Sequence, residues 1–329
     1  MHTGNRYSLK EFLYWTRRDI YILLVLAIIP TVLYQFLPTG WLTIPWVAIA
    51  LVGTAAAFIV GFKNTQTYNR LWEARMIWGA IVNSSRTWGI LVKDFVKADE
   101  SVHKVLIYRH FAWLTALRFQ LRKPQTWENS TKKSYNVEYH NFYKVPEWQT
   151  TIEENLMSYL NEQELNSLLK KKNRATQLIA MQSTHLRELK EKQLIGDYEY
   201  VEMEKRLADL YDQQGKCERI KNFPYPRQFA SINLYFIWLF IILLPFGLLN
   251  EFAKLGGQLI WLNVPCTVLV GWVFMSMEKV GESTENPFEG GANDIPMAAL
   301  SRTIEIDLRE MLGEIDLPEP LSPVNKILM

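Results

Sequence analysis

The chain has 329 residues, with 36 Lys and Arg against 34 Asp and Glu and a formal net charge of +2. Near-neutrality gives no sign of a nucleic-acid partner, and two cysteines exclude a disulfide-stapled scaffold. The mean hydropathy of −0.07 is that of an ordinary soluble chain, but it averages unlike regions: long uncharged blocks alternate with a densely charged middle.

The first block, about 20–38, is apolar apart from Thr31 and Gln35. A turn around Pro38, Thr39 and Gly40 leads to a second block, 41–62, with no ionisable residue. About twenty apolar residues rising 1.5 Å each cross a hydrocarbon core of roughly 30 Å, so both blocks are predicted to span a membrane. Soluble helices seldom run this far without a charge. Neither block precedes a small-residue cleavage site, so no removable signal peptide is expected. Within the second block Thr54, Phe58 and Phe62 recur every four residues and share one helix face. Small residues (Gly53, Ala55, Ala56, Ala57, Gly61) fill much of the rest.

From 67 to 89 the pattern is amphipathic: Leu71, Trp72, Ile77, Trp78 and Ile81 against Arg70, Glu73 and Arg75. No proline separates it from the second block, which predicts one long helix or two joined with a slight bend. The run 105–121 is apolar but carries Arg109, His110 and Arg118, so a buried helix outside the membrane is expected. Residues 122–150, with Pro124 and Pro146, read as a loop excursion. Residues 153–214 read as charged helices with a turn at Gly196-Asp197. The lysines at 170–172 read as a solvated face. Two further apolar blocks, about 232–250 and 259–277, complete four spans.

Basic residues orient the spans. Arg17 and Arg18 precede the first, Lys63, Arg70 and Arg75 follow the second, and Arg219, Lys221 and Arg227 precede the third, while the first turn is uncharged. Both termini and the long middle are therefore expected in the cytoplasm. The expected organisation is 1–62 with the first hairpin, 63–227 as a cytoplasmic helical region, 228–277 as the second hairpin and 278–329 as a cytoplasmic tail. The fold class is an all-α membrane protein. Cys217 and Cys266 fall in the cytoplasmic segment and in a span, which argues against a structural disulfide.

Chemistry-bearing patterns are lacking. The histidines His2, His103, His110, His140 and His185 show no metal-ligand spacing, and no nucleophile elbow or phosphate loop is present. No enzyme and no cofactor are expected. The spans carry no mid-membrane titratable group, which disfavours a proton-coupled transporter.

Gly61-Phe62, the run Asn69-Arg70-Leu71-Trp72-Glu73-Ala74-Arg75, and Trp78-Gly79 resemble the bestrophins in their bacterial branch. So do Arg219-Ile220 with Pro224-Tyr225-Pro226, then Asn286-Pro287-Phe288, and Ile304-Glu305-Ile306-Asp307-Leu308. The resemblance covers about 10–315 and is weakest across 122–215. It implies a homopentameric ion channel in the inner membrane, with the second span lining a central pore. The implied hydrophobic neck falls on Thr54, Phe58 and Phe62, and the implied cytoplasmic aperture on Tyr225. Thr54 and Tyr225 depart from the aliphatic residues usual in the family. Family members are described chiefly as chloride channels, and some bacterial ones favour monovalent cations, so both signs of permeant monovalent ion stay open.

An uncharged neck would act through width and wetting, because an apolar constriction holds water poorly. Lys63 directly after the neck bears on ion sign. Arg70, Glu73 and Arg75 are expected as structural ion pairs, or as vestibule lining. Eukaryotic relatives follow Asn-Pro-Phe with a dense acidic run that binds calcium. Here only Glu289 and Asp294 remain, too few for a calcium shell, and a chain-turning role is expected for them. The competing reading from another class is a membrane-anchored scaffold or signalling protein whose helical insert binds a partner.

Overall fold

The computed structural model describes residues 1–37 and 40–329; Pro38 and Thr39, in the expected first turn, lie outside the described residues. The helices in chain order are α1 (Leu9–Phe36), α2 (Trp46–Phe95), α3 (Glu100–Arg122), α4 (Ser134–Tyr139), α5 (Ile152–Leu156) and α6 (Glu162–Leu169). They continue with α7 (Arg174–Glu191), α8 (Asp197–Asn222), α9 (Arg227–Leu255), α10 (Asn263–Thr284) and α11 (Met297–Met311). Among the described residues the only β-type pairing is isolated bridges near the chain ends, such as His2 with Ile327. The chain divides into two units, one of Gly4–Arg70 with Pro224–Glu285, the other of Met1–Thr3, Leu71–Phe223 and Asn286–Met329. One division falls inside α2, at Arg70, where an unbroken helical pattern leaves no mark in the sequence.

The first unit holds α1, the apolar half of α2, α9 and α10. Four segments, Leu9–Phe36, Gly40–Phe95, Arg227–Leu255 and Gly257–Thr284, are long and apolar enough to cross a membrane. α1 starts at a capping box. Ser8 Oγ accepts from Glu11 N at 3.2 Å, while Ser8 N donates to Glu11 Oε2 at 2.7 Å. Its buried stripe of Leu23, Ala27, Pro30 and Thr31 packs on α10. Gly271 of α10 is where the two meet: a Cβ there would lie 2.4 Å from Leu23 Cδ2. Asn263 Nδ2 donates to Thr31 Oγ1 at 2.8 Å in the same contact. α2 approaches α9 similarly closely, since a Cβ on Gly53 would sit 2.6 Å from the Phe240 ring. Leu23, Ile49, Ala56, Val60, Ile237, Phe240, Ile241 and Leu244 make the core.

The second unit is built around α3, the apolar run at 105–121. α7 and α11 pack on it, and α8 packs on α7. Trp78, Trp88, Trp113, Phe111 and Phe288 are fully buried. Gln214 serves two elements, accepting from Trp113 Nε1 at 2.9 Å and donating to Thr176 Oγ1 at 2.9 Å. His110 stays neutral on Ser85 Oγ, 2.8 Å away, because burial lowers its pKa to about 3. Gly196 is the N-cap of α8, at the expected turn. The stretch 122–150, read as a loop, holds α4 and two 3₁₀ turns, and its Glu147 is buried between Arg118 (2.6 Å) and Arg122 (3.5 Å). That ion cluster gives a polar segment a buried anchor. Both chain ends lie in this unit, where Thr3 N donates to Lys326 O at 2.7 Å and Leu328 N to Met1 O at 2.9 Å.

Candidate functional site

α2 runs unbroken for 50 residues, about 75 Å at 1.5 Å per residue. Its two faces differ sharply. Ile49, Gly53, Ala56, Val60, Lys63 and Thr67 are buried. Val47, Leu51, Thr54, Phe58 and Phe62 are exposed, and the same stripe continues through Thr65, Asn69, Trp72 and Met76. Steps of three and four residues keep all nine on one side of a 3.6-residue helix. Thr54, Phe58 and Phe62, the expected neck residues, thus share an uncovered face. Phe58 is 76 % exposed and Phe62 45 %, the difference arising beside Phe229, whose ring lies 6.2 Å from that of Phe62. Thr54 Oγ1 donates to Ala50 O at 2.9 Å, so its hydrogen is spent on the helix. Through Phe62 the stripe carries no charge.

Lys63 does not reach that face. It is buried, with Nζ 2.5 Å from Glu278 Oε1, and Asn233 Nδ2 donates to the other Glu278 oxygen. A second pair, Lys279 with Asp19 at 2.6 Å, ties the next residue of α10 to α1. These acids and bases fall just outside the uncharged blocks, and 215 residues separate Lys63 from Glu278. No sequence spacing announces them.

The trio Arg70, Glu73 and Arg75 is not brought together as one pair. Arg70 Nε donates to Glu285 O at 3.0 Å, Glu73 pairs with Arg219, and Arg75 is exposed. Tyr225 is only 4 % exposed. Burial, and then the nearby Glu285 and Glu278 carboxylates, hold its phenol above the usual range.

Glu289 and Asp294 are both buried and both bind backbone. Glu289 Oε2 accepts from Asn129 N at 2.9 Å and Ser130 N at 3.3 Å, and Asp294 Oδ2 accepts from Gly290 N at 2.8 Å and Gly291 N at 2.9 Å. Arg122 Nη1 stands 3.6 Å from Asp294. Among the described residues no group of three or more His, Cys, Asp or Glu side chains is placed to hold a metal ion. Burial, reinforced by the Asp294 carboxylate, pushes Glu289 up to about 8. Burial also raises Asp294, against the pull of Arg122 and the glycine N–H groups. An acid with a raised folded pKa contributes stability that is fully present below its unfolded value of about 4.5 and is lost as pH climbs toward 8. The thermal midpoint of the detergent-solubilised protein should therefore fall between pH 5 and pH 9. Glu289→Gln, which keeps the acceptor oxygen, should flatten that fall; an unchanged slope would reject the assignment.

The family described as bacterial/fungal bestrophin protein matches residues 15–310. The voltage-dependent anion channel-forming protein YneE of Escherichia coli (strain K12) is 27% identical over 275 residues, covering 83% of this chain and 79% of that protein. A protein of the same description from Mesorhizobium japonicum is 25% identical over 283 residues, covering 84% of this chain and 77% of its own length. The crystal structure of a bacterial bestrophin homolog from Klebsiella pneumoniae has the same fold, with a TM-score of 0.76 at 24% identity over 90% of this chain and 98% of that one. The four membrane-length helices, the uncovered face of α2 and the match along most of the chain have one common account: this chain belongs to the bestrophin family, in its bacterial and fungal branch.

Proposed function

We propose that this protein is a passive channel for small monovalent anions, a homopentamer in which α2 of each copy faces a central axis. The single observation that carries the reading is the uncovered, uncharged stripe of α2. The apolar window of that helix is 22% buried, against 44% for α9, so α2 has the most surface left for other copies or a lumen. A lipid-facing stripe would account for Val47, Leu51 and Phe58. A pore-facing stripe also accounts for the alignment of exposed Thr65 and Asn69 with those residues where α2 leaves the membrane. In this reading Thr54, Phe58 and Phe62 form the neck, with two aromatic rings one turn apart. Tyr225, withdrawn from solvent, contributes to the aperture by fixing the chain where it enters α9 rather than by lining it.

Anion passage is favoured because relatives are named as anion channel-forming and because the neck face carries no carboxylate. Sealing Lys63 against Glu278 also removes its charge from that face, so selectivity rests on wetting and ring edges, whose partial positive charge suits an anion. The chain is proposed to sit in the inner membrane with both termini and the helical insert in the cytoplasm. The turn between the first two spans lacks Lys and Arg and the turn between the last two carries only Lys254, while Arg17, Arg18, Arg219 and Arg227 lie at the other ends of the spans.

The test is reconstitution into planar bilayers under a salt gradient. An anion-selective reversal potential is expected. A cation-selective one would move the reading to a sodium or potassium channel, and no current would leave the anchored scaffold. The particle mass in detergent, after subtraction of detergent, should be five times 38.5 kDa; a stable monomer would reject the assembly.

A further inference from the structure

Ahead of the first span, exposed basic side chains stand beside acidic ones that are already occupied. Arg6 and Lys10 are exposed and make no ion pair among the described residues. Glu11 is taken up by the capping box with Ser8, and Asp19 by Lys279. The N-terminal N–H of Glu11 is likewise spent on Ser8 Oγ, so the attraction here is one of side chains and not of the helix end. Arg17 adds charge nearby, its guanidinium 3.9 Å from the Tyr14 ring centroid.

The depth of these bases follows from an aromatic band. Phe12 stacks edge-on to Trp272 at 5.6 Å, Trp272 Nε1 donates to Thr16 Oγ1 at 2.9 Å, and Lys279 Nζ lies 5.5 Å from the Trp15 ring. Tryptophans are enriched at the boundary between hydrocarbon and headgroups, and Trp15 and Trp272, both half-buried, place it near this turn of α1. Lys10 is five residues before Trp15, about 7 Å farther out along the helix, which is the level of lipid phosphates. At that level a cavity of about 590 Å³ is lined by Arg6, Tyr7, Ser8, Leu9 and Phe12. Its lining combines the basic Arg6 with the apolar Leu9 and Phe12, and Leu9 and Leu13 are exposed. A soluble anion would use only the basic half. An anionic phospholipid uses both, its phosphodiester against Arg6 and Lys10 and its glycerol and upper acyl chain against Leu9 and Phe12.

We infer that the cavity lined by Arg6, together with the neighbouring exposed Lys10, forms a binding site for an anionic phospholipid. The inference rests on the membrane embedding proposed above but not on conduction. It is tested by native mass spectrometry of the whole protein equilibrated with equal amounts of phosphatidylglycerol and phosphatidylcholine. The wild type should retain phosphatidylglycerol about tenfold over phosphatidylcholine. Arg6→Gln with Lys10→Gln should bring the ratio near unity, and Arg6→Lys with Lys10→Arg should keep it. Excess inorganic phosphate should not displace the lipid; displacement would mean a soluble-anion site instead. Equal retention of the two lipids by the wild type, or an unchanged preference in the glutamine variant, would overturn the assignment. Because the readout counts lipid and not current, a non-conducting protein that keeps the preference would fault only the channel reading.

Discussion

Lys63→Met is expected to cost about 3–5 kcal/mol of stability, because it leaves the Glu278 carboxylate buried without its cation. The ammonium lies 2.5 Å from Glu278, and the remaining partner, Asn233, supplies a neutral donor only. Removing both charges should be far milder: Lys63→Met combined with Glu278→Gln should recover most of the loss, since a buried pair adds little over a well-packed neutral replacement. Thermal unfolding in detergent measures all three variants. A single variant within about 1 kcal/mol of wild type would mean that Glu278 is hydrated or protonated instead of paired. The same variants bear on conduction. With Lys63 sealed away from the exposed face, its removal should leave the reversal potential unchanged while lowering the thermal midpoint. A shifted reversal potential would place that ammonium in reach of permeant ions.

The apolar frame was legible in the sequence because a membrane span needs only length and the absence of charge, both local properties. The continuity of α2 was legible for a local reason too: no proline interrupts the pattern from Trp46 to Phe95. Thr54, Phe58 and Phe62 read as one face from spacing, and their uncovered position agrees with that spacing. What stayed hidden depends on partners distant in sequence. Lys63 looked like a charge at the mouth of the neck, and only the return of α10 brings Glu278 against it. Tyr225 stood out only through the resemblance, and nothing local announced that Glu278 and Glu285 lie close to its buried phenol. Residues 122–150 carried no helical period long enough to notice, and Glu147 between two arginines holds that stretch in place. Arg219, noticed for its charge, had no visible link to Glu73 across 146 residues.

Phe58→Ala should raise the current through the proposed neck by roughly an order of magnitude, and by more than Phe62→Ala does. Both expectations come from drying: a narrow apolar ring holds water poorly, and trimming it lowers the barrier to wetting. A fall of about 1.4 kcal/mol in that barrier is tenfold in rate. The ranking comes from neighbours. Phe58 is 76 % exposed and has no ring partner among the described residues, so its loss leaves nothing to refill the constriction. Phe62 leans on Phe229, itself exposed, and when Phe62 is cut back that second ring still occupies part of the same level. Phe229→Ala should therefore have a small effect alone and a larger one in the Phe62→Ala background, with the pair approaching the gain of Phe58→Ala. Thr54→Val should change the current least of all, since the Thr54 hydroxyl hydrogen is already turned back to Ala50. Single-channel recording gives the ordering directly. A Phe62→Ala gain exceeding that of Phe58→Ala, or strictly additive effects of Phe62 and Phe229, would mean that the two rings do not share one level of the neck. No change on cutting both Phe58 and Phe62 would turn the stripe toward lipid and remove it from the conduction path.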